Sequence, residues 1–254
     1  MESNAVMHVT VWNEFIHERS MPVVQKNYPE GIHRVLASAI EQRWGANVSV
    51  HCATLDQPLH GLSDDVLAKT DVMLWWGHAG HDKVADSIVD KVQRRVLEGM
   101  GLIVLHSGHA SKIFRRLMGT TCMLRWREAD EKERLWIVSP GHVILDGIQG
   151  EYFELAASEM YGELFDIPQP DELLTVSWFE GGEVFRSACT FRRGKGKIFY
   201  FSPGHETYPI YHDFNVQRII TNAIAWARPT DGTVQLAGRN IKQPLSPIAP
   251  NTPS

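Results

Sequence analysis

Twelve histidines occur among 254 residues, and several stand beside glycine in short loop-like segments. These are Gly77-His78-Ala79-Gly80-His81, His106-Ser107-Gly108-His109 and Pro203-Gly204-His205-Glu206. Imidazole exchanges a proton near neutral pH or binds a metal through a neutral ring nitrogen. Glycine beside it lets the backbone turn tightly and lets a ligand approach. The spacings His78-x-x-His81 and His106-x-x-His109 suit two ligands on one helical turn. Recurrence across three segments carries more weight than the spacing of any one pair. Carboxylates complete the set, with Glu159 and Glu163 in Ser158-Glu-Met-Tyr-Gly-Glu. A carboxylate joined to two histidines is a usual ligand set for zinc, manganese or iron(II), and the same acid serves equally as a general base. His8, His33, His51 and His60 read as ordinary strand, helix or surface histidines.

A nucleophile is the competing chemistry. Ser107 follows a buried apolar run at a sharp turn, superficially a nucleophile elbow without the G-x-S-x-G frame. His205 and Glu206 would supply its base and orienter. No cysteine occupies that place, which excludes a thiol there. No G-x-x-x-x-G-K-[ST] motif is present, and no G-x-G-x-x-G follows the first strand, so no nucleotide cofactor is expected.

The elements that must position these residues alternate. Val6 to Trp12 reads as a strand and Asn13 to Tyr28 as a polar loop carrying Asn13, Glu14 and His17. A helix then opens at Pro29 and stops at Gly45. Strands are expected at Asn47–Ala53, Asp71–Trp76 and Leu102–Leu105, with helices at Ser63, Asp82–Met100 and Ser111–Met118. Nearly continuous apolar strands suit a sheet covered on both faces. The alternation predicts a doubly wound, mainly parallel α/β sheet with right-handed crossovers. Leu135–Val138, Glu151–Leu155, Leu173–Phe179, Glu183–Phe191 and Lys197–Ser202 read as antiparallel additions before a closing helix, Phe214–Trp226. Residues 1–229 are expected to form one domain, and 230–254 a Pro-rich tail. In such a sheet ligands bind beyond the carboxyl ends of the strands, where Asn13, Glu14 and the three Gly–His segments fall.

Composition narrows the partners. A hydrophobic share of 43% supports a globular core, and a formal net charge of -5 disfavours nucleic acid. Three scattered cysteines form no disulfide framework, no stretch approaches a membrane span, and no signal-peptide pattern opens the chain. A cytoplasmic protein is expected, with no membrane partner.

Longer segments carry a resemblance. Asp71–His81 (DVMLWWGHAGH), Gly99–Met118, Gly119–Glu128, Glu159–Glu163, Trp178–Phe185 and Gly196–Pro209 (GKIFYFSPGHETYP) resemble the trehalose-utilisation (ThuA-like) family, over nearly the whole chain to about Pro229. The resemblance implies a flavodoxin-like fold similar to class I glutamine amidotransferases, without their nucleophile cysteine. It implies a role in bacterial disaccharide metabolism. It matches His106 to the strand-four LHS motif, Glu159 to an acidic E-x-Y motif and His205 to a late GH motif, while His78 matches only closer relatives. The expectation is an enzyme acting on a disaccharide or keto-sugar. Its catalytic residues would be His106, Glu159 and His205, and His78, His106, Glu159 and His205 would hold a divalent zinc or manganese ion. Asn13, Glu14, His109, Tyr161 and Glu206 would bind substrate, and Trp75, Trp76 or Trp178 would stack on a sugar face. The alternatives are a serine hydrolase using Ser107 and His205, or a sugar-binding protein without turnover. Homo-oligomer formation is also expected.

Overall fold

The structure is a computed structural model that describes residues 6–230 and 242–243. The tail expected over 230–254 thus lies almost entirely outside the described residues. Nine strands form one sheet: β1 (Met7–Asn13), β2 (Val48–Thr54), β3 (Val72–Trp76), β4 (Gly101–Leu105), β5 (Arg125–Ile137), β6 (Tyr152–Gly162), β7 (Glu172–Phe179), β8 (Val184–Arg193) and β9 (Gly196–Phe201). Their order is β2-β1-β3-β4-β9-β8-β7-β5-β6. The first five in that order pair in parallel, and β8, β7, β5 and β6 continue antiparallel. The sheet is therefore mixed, with its parallel half built largely from the first half of the chain.

Strand alternation divides the core in two. Val72, Leu74 and Trp76 face one cluster with α3 (Ile32–Trp44) and α7 (Phe214–Ala227). Met73 and Trp75 face the other with α4 (Asp64–Lys69), α5 (Asp86–Glu98) and α6 (Lys112–Met118). Caps fix where several helices begin. The Ser63, Ser111 and Asp213 side chains accept backbone N–H groups at the starts of α4, α6 and α7, satisfying donors that have no intrahelical partner.

Several expected boundaries shift. The loop expected at Asn13–Tyr28 contains two short helices, α1 (His17–Ser20) and α2 (Pro22–Asn27). At four and six residues neither is long enough to show a 3.6-residue pattern. The helix expected from Asp82 begins at Asp86, after a 3-10 turn at His81–Lys83 and extended residues Val84 and Ala85. Val84 is buried from that extended segment and so imitates a helical core position. β5 starts ten residues before the expected Leu135, because its first half (RWREADEKER) is charged and mostly exposed. β6 runs on to Gly162, placing Glu159 and Tyr161 inside a strand and not after one.

Candidate functional site

At the carboxyl ends of the parallel strands, residues 14–17 follow β1, residues 77–81 follow β3, residues 106–110 follow β4 and residues 202–207 follow β9. The antiparallel half contributes Glu159 and Tyr161 from β6 and Glu128 from β5; Glu128 and Glu159 sit opposite each other in the ladder. Together they line a cavity of about 360 Å³. One wall is polar, with His17, His78, His81, His109, His205, Glu159 and Glu206. The other carries Met21, Met123, Leu124 and Trp126.

His106, Glu159 and His205 are all buried, and their ligand-type atoms lie within 4.8 Å of one another. The His106 backbone sits in the left-handed region (φ 49°), a conformation that costs a non-glycine residue on the order of 1 kcal/mol and recurs at functional sites. His106 Nδ1 lies 2.7 Å from the Ser202 carbonyl, which can only accept, so Nδ1 carries the proton. Its Nε2 then offers a lone pair to the Tyr161 hydroxyl, which donates at 3.1 Å. The same Nε2 is 3.0 Å from Glu159 Oε2, yet that oxygen makes no hydrogen bond.

His205 is also held at Nδ1. The Thr207 hydroxyl, which donates to Glu128 Oε1 at 2.8 Å, lies 2.7 Å from His205 Nδ1, and the Thr207 N–H points at the same nitrogen at 3.3 Å. That leaves His205 Nε2 facing Glu159 Oε2 at 3.9 Å. His106 Nε2 and a buried carboxylate oxygen thus stand 3.0 Å apart with His205 Nε2 close by, an arrangement that a positive charge among them stabilises. An added proton supplies it, and so does a metal ion. The donor set fits a divalent metal, and both rings have their Nδ1 tethered as metal-ligating histidines usually do. Burial opposes the charge of Glu159, but once His106 carries the added proton it donates to the carboxylate, and with the nearby charges of His205 and His78 it holds the pKa below the usual carboxylate range.

A second group lies alongside. Glu206 accepts from Nδ1 of His17 through Oε1, and from His78 Nδ1 through Oε2 at 3.0 Å. Burial opposes ionisation of Glu206, yet the bonds from His17 and His78 hold it far below the usual range. The Glu206 hydrogen bond raises the His17 pKa. Burial opposes the charge of His78, but the bond to Glu206 raises its pKa as well. His109 differs: burial pushes its pKa down to about 3 against the bond from its Nδ1 to the Cys122 carbonyl, so it stays neutral with Nε2 as an acceptor.

Of the residues singled out from sequence, His78, His106, His109, Glu159, Tyr161, His205 and Glu206 are brought together. Asn13 and Glu14 are not. Asn13 is committed to Glu18, His33 and the Phe15 N–H, and Glu14 clamps the Ala79 and Gly80 N–H groups at 2.7 Å. The Ser107 hydroxyl donates to the Gly77 carbonyl at 2.8 Å, and among the described residues no histidine hydrogen-bonds it. Glu163 pairs with Arg186 away from the cavity lining. Trp75 and Trp76 are core residues, and Trp178 lies in a different groove with Lys132 and Arg134. The tryptophan on the cavity wall is Trp126, 65% exposed. Sequence reasoning missed Trp126, Glu128, Thr207 and the role of His17. His78, expected as a ligand of the first group, and Glu206 beside His205 were the visible hints of the second group.

Fold and site together define an open α/β protein with a histidine–carboxylate centre at the carboxyl edge of its parallel strands. The ThuA (trehalose utilisation) family profile matches residues 8–227, and the chain belongs to that family. None of the curated proteins matches it in sequence. Among solved structures it resembles a ThuA-like protein from Parabacteroides merdae (TM-score 0.64, 11% identity), covering 90% of this chain and 93% of that one. It also resembles a cytoplasmic protein from Salmonella typhimurium LT2 (TM-score 0.59, 13% identity; 87% and 100% covered). Part of a β-galactosidase from Bacillus circulans is similar in fold (TM-score 0.54, 14% identity; 89% of this chain, 32% of that one). Among the described residues no helix is long and apolar enough to cross a membrane.

Proposed function

We propose that this chain is a metal-dependent enzyme acting on a sugar or keto-sugar, with His106, Glu159 and His205 holding a divalent zinc or manganese ion. The observation that carries this reading is Glu159 Oε2, buried without a hydrogen bond and faced by the Nε2 atoms of two tethered histidines. Such an ion, when bound, polarises a carbonyl or activates water. The chain's own groups have separate tasks. Ser202 and Thr207 fix the two rings, and Tyr161 holds its hydroxyl at His106 Nε2. His109 Nε2 accepts a substrate hydroxyl, and Glu128 borders the cavity while anchoring the Thr207 hydroxyl. Trp126, Met123 and Leu124 offer an apolar wall to the C–H face of a sugar ring. His78 borders the trio, its ring centroid 5.2 Å from that of His205.

The family's trehalose-utilisation description supports a sugar substrate, and a cavity of about 360 Å³ is within the range of small-molecule sites. The parallel strand order 2-1-3-4-9 supports a flavodoxin-like reading, in which ligands gather beyond the carboxyl ends of the strands. A cytoplasmic location belongs to the same reading, supported by three unpaired cysteines. The test is metal content of protein purified without a histidine tag, beside a His106→Ala/His205→Ala double variant. Near-stoichiometric metal in the wild type, lost in the variant, is expected. A wild type that cannot be loaded would overturn the metal centre.

A further inference from the structure

We infer that the cavity takes a second divalent cation of the zinc or manganese class, held by His17, His78 and Glu206 beside the first trio. The inference rests on the reading of this cavity as a metal centre. Ligand-type atoms of His17, His78 and Glu206 lie within 4.8 Å of one another, as those of His106, Glu159 and His205 do. Each trio is a carboxylate between two imidazoles. Six such donors on one cavity exceed the three or four protein ligands that one zinc ion takes. They divide evenly, three and three.

The two trios meet at β9's carboxyl end, where neighbouring residues His205 and Glu206 serve different sides. His205 Nε2 lies 3.9 Å from Glu159 Oε2 and 3.8 Å from Glu206 Oε2. Two ions so placed would stand a few ångströms apart, as in two-metal sites where the separation is about 3.5–4 Å. Glu206 is 1% exposed, so its negative charge is balanced by its neighbours and not by bulk water. With no ion present, His17 and His78 balance it through Nδ1 hydrogen bonds. Loading exchanges those two imidazole protons for the cation. Paired ions would grip two oxygens on adjacent carbons, such as the carbonyl and neighbouring hydroxyl of a keto-sugar, where a single ion grips one firmly.

The test is metal stoichiometry of the full-length chain stripped and reloaded with zinc or manganese. Two ions per chain are expected in the wild type, one in His17→Ala and one in His106→Ala. A single ion that survives His17→Ala but not His106→Ala overturns the second site and leaves the first. A single ion with the opposite dependence overturns the first and leaves the second, and none overturns both. Manganese-loaded wild type supplies a check that needs no variant. An exchange-coupled electron paramagnetic resonance spectrum is expected, and the isolated six-line signal of a lone ion would overturn the pair.

Discussion

At the scale of single residues, the centre depends on tethers as much as on ligands. His205 is aimed by Thr207, whose hydroxyl is itself held by Glu128. Thr207→Val keeps the shape and removes the hydroxyl, so metal affinity should fall about 10–100-fold, measurable by competition with a chelator. An unchanged affinity would mean that the Thr207 N–H and packing suffice to position His205. Ser107 is expected to behave otherwise, because its hydroxyl is spent on the Gly77 carbonyl. Ser107→Ala should cost about 1 kcal/mol of stability and leave metal content as it was. Abolished turnover with intact metal would restore the serine as nucleophile.

At the scale of elements, loops at strand ends are held in place by buried polar groups. Glu14, following β1, receives the Ala79 and Gly80 N–H groups, and thereby sets the segment that carries His78 and His81. Glu14→Gln retains only one oxygen acceptor. It should cost about 2 kcal/mol and raise amide hydrogen exchange at 79 and 80; equal protection in both proteins would disprove the clamp. After β9, Gly204 is required by its neighbours. Its φ is +140°, and a Cβ there would meet the Tyr211 hydroxyl at 2.0 Å. Its carbonyl accepts from Trp76 Nε1 at 3.2 Å, tying the loop that bears His205 to β3.

At the scale of the whole molecule, two buried groups set opposing pH dependences. Burial pushes the Glu133 carboxyl up to about 7, although Ser177 and Ser158 donate to it. A raised carboxyl pKa favours the folded state at low pH. That stability is present below the ordinary value of 4.5 and is lost as pH rises toward 7. The change amounts to about 3 kcal/mol as an upper bound. Burial pushes His33 down to about 4, so its contribution runs the other way, present above 6.5 and lost as pH falls toward 4. Glu133→Gln should therefore match the wild type at pH 4 and be more stable at pH 8, leaving only the acid-side decline in chemical denaturation. A variant as stable as wild type at pH 8 would show that Glu133 is ionised without penalty.

Four of the five parallel strands were legible in the sequence, β1, β3 and β4 from their nearly continuous apolar runs and β2 from its β-branched alternation. But β9, expected as an antiparallel addition, pairs in parallel with β4 and antiparallel only with β8, a choice made by tertiary stacking. His106 was legible because a histidine directly after a buried parallel strand must lie at the sheet's carboxyl edge, and His205 was legible from its Pro-Gly-His segment a few residues past β9. Glu159 was a candidate beside Glu163 from residue type and was set apart from it by family resemblance, but its place inside β6 was not legible. The charged first half of β5 has no apolar alternation, and bulges near Glu128 and Glu131 break the period-two signal. Pairing of the antiparallel strands, which brings Glu128, Trp126, Glu159 and Tyr161 over the histidines, joins residues far apart in the chain. The same holds for His17 and Glu206, 189 residues apart. Local periodicity determines elements and their ends, while such contacts come only from the way the elements stack. Tertiary structure alone decided that Glu14 clamps the segment bearing His78 while Asn13 is spent on Glu18 and His33, that Ser107 is occupied, and that the carboxylates and imidazoles gather in two trios.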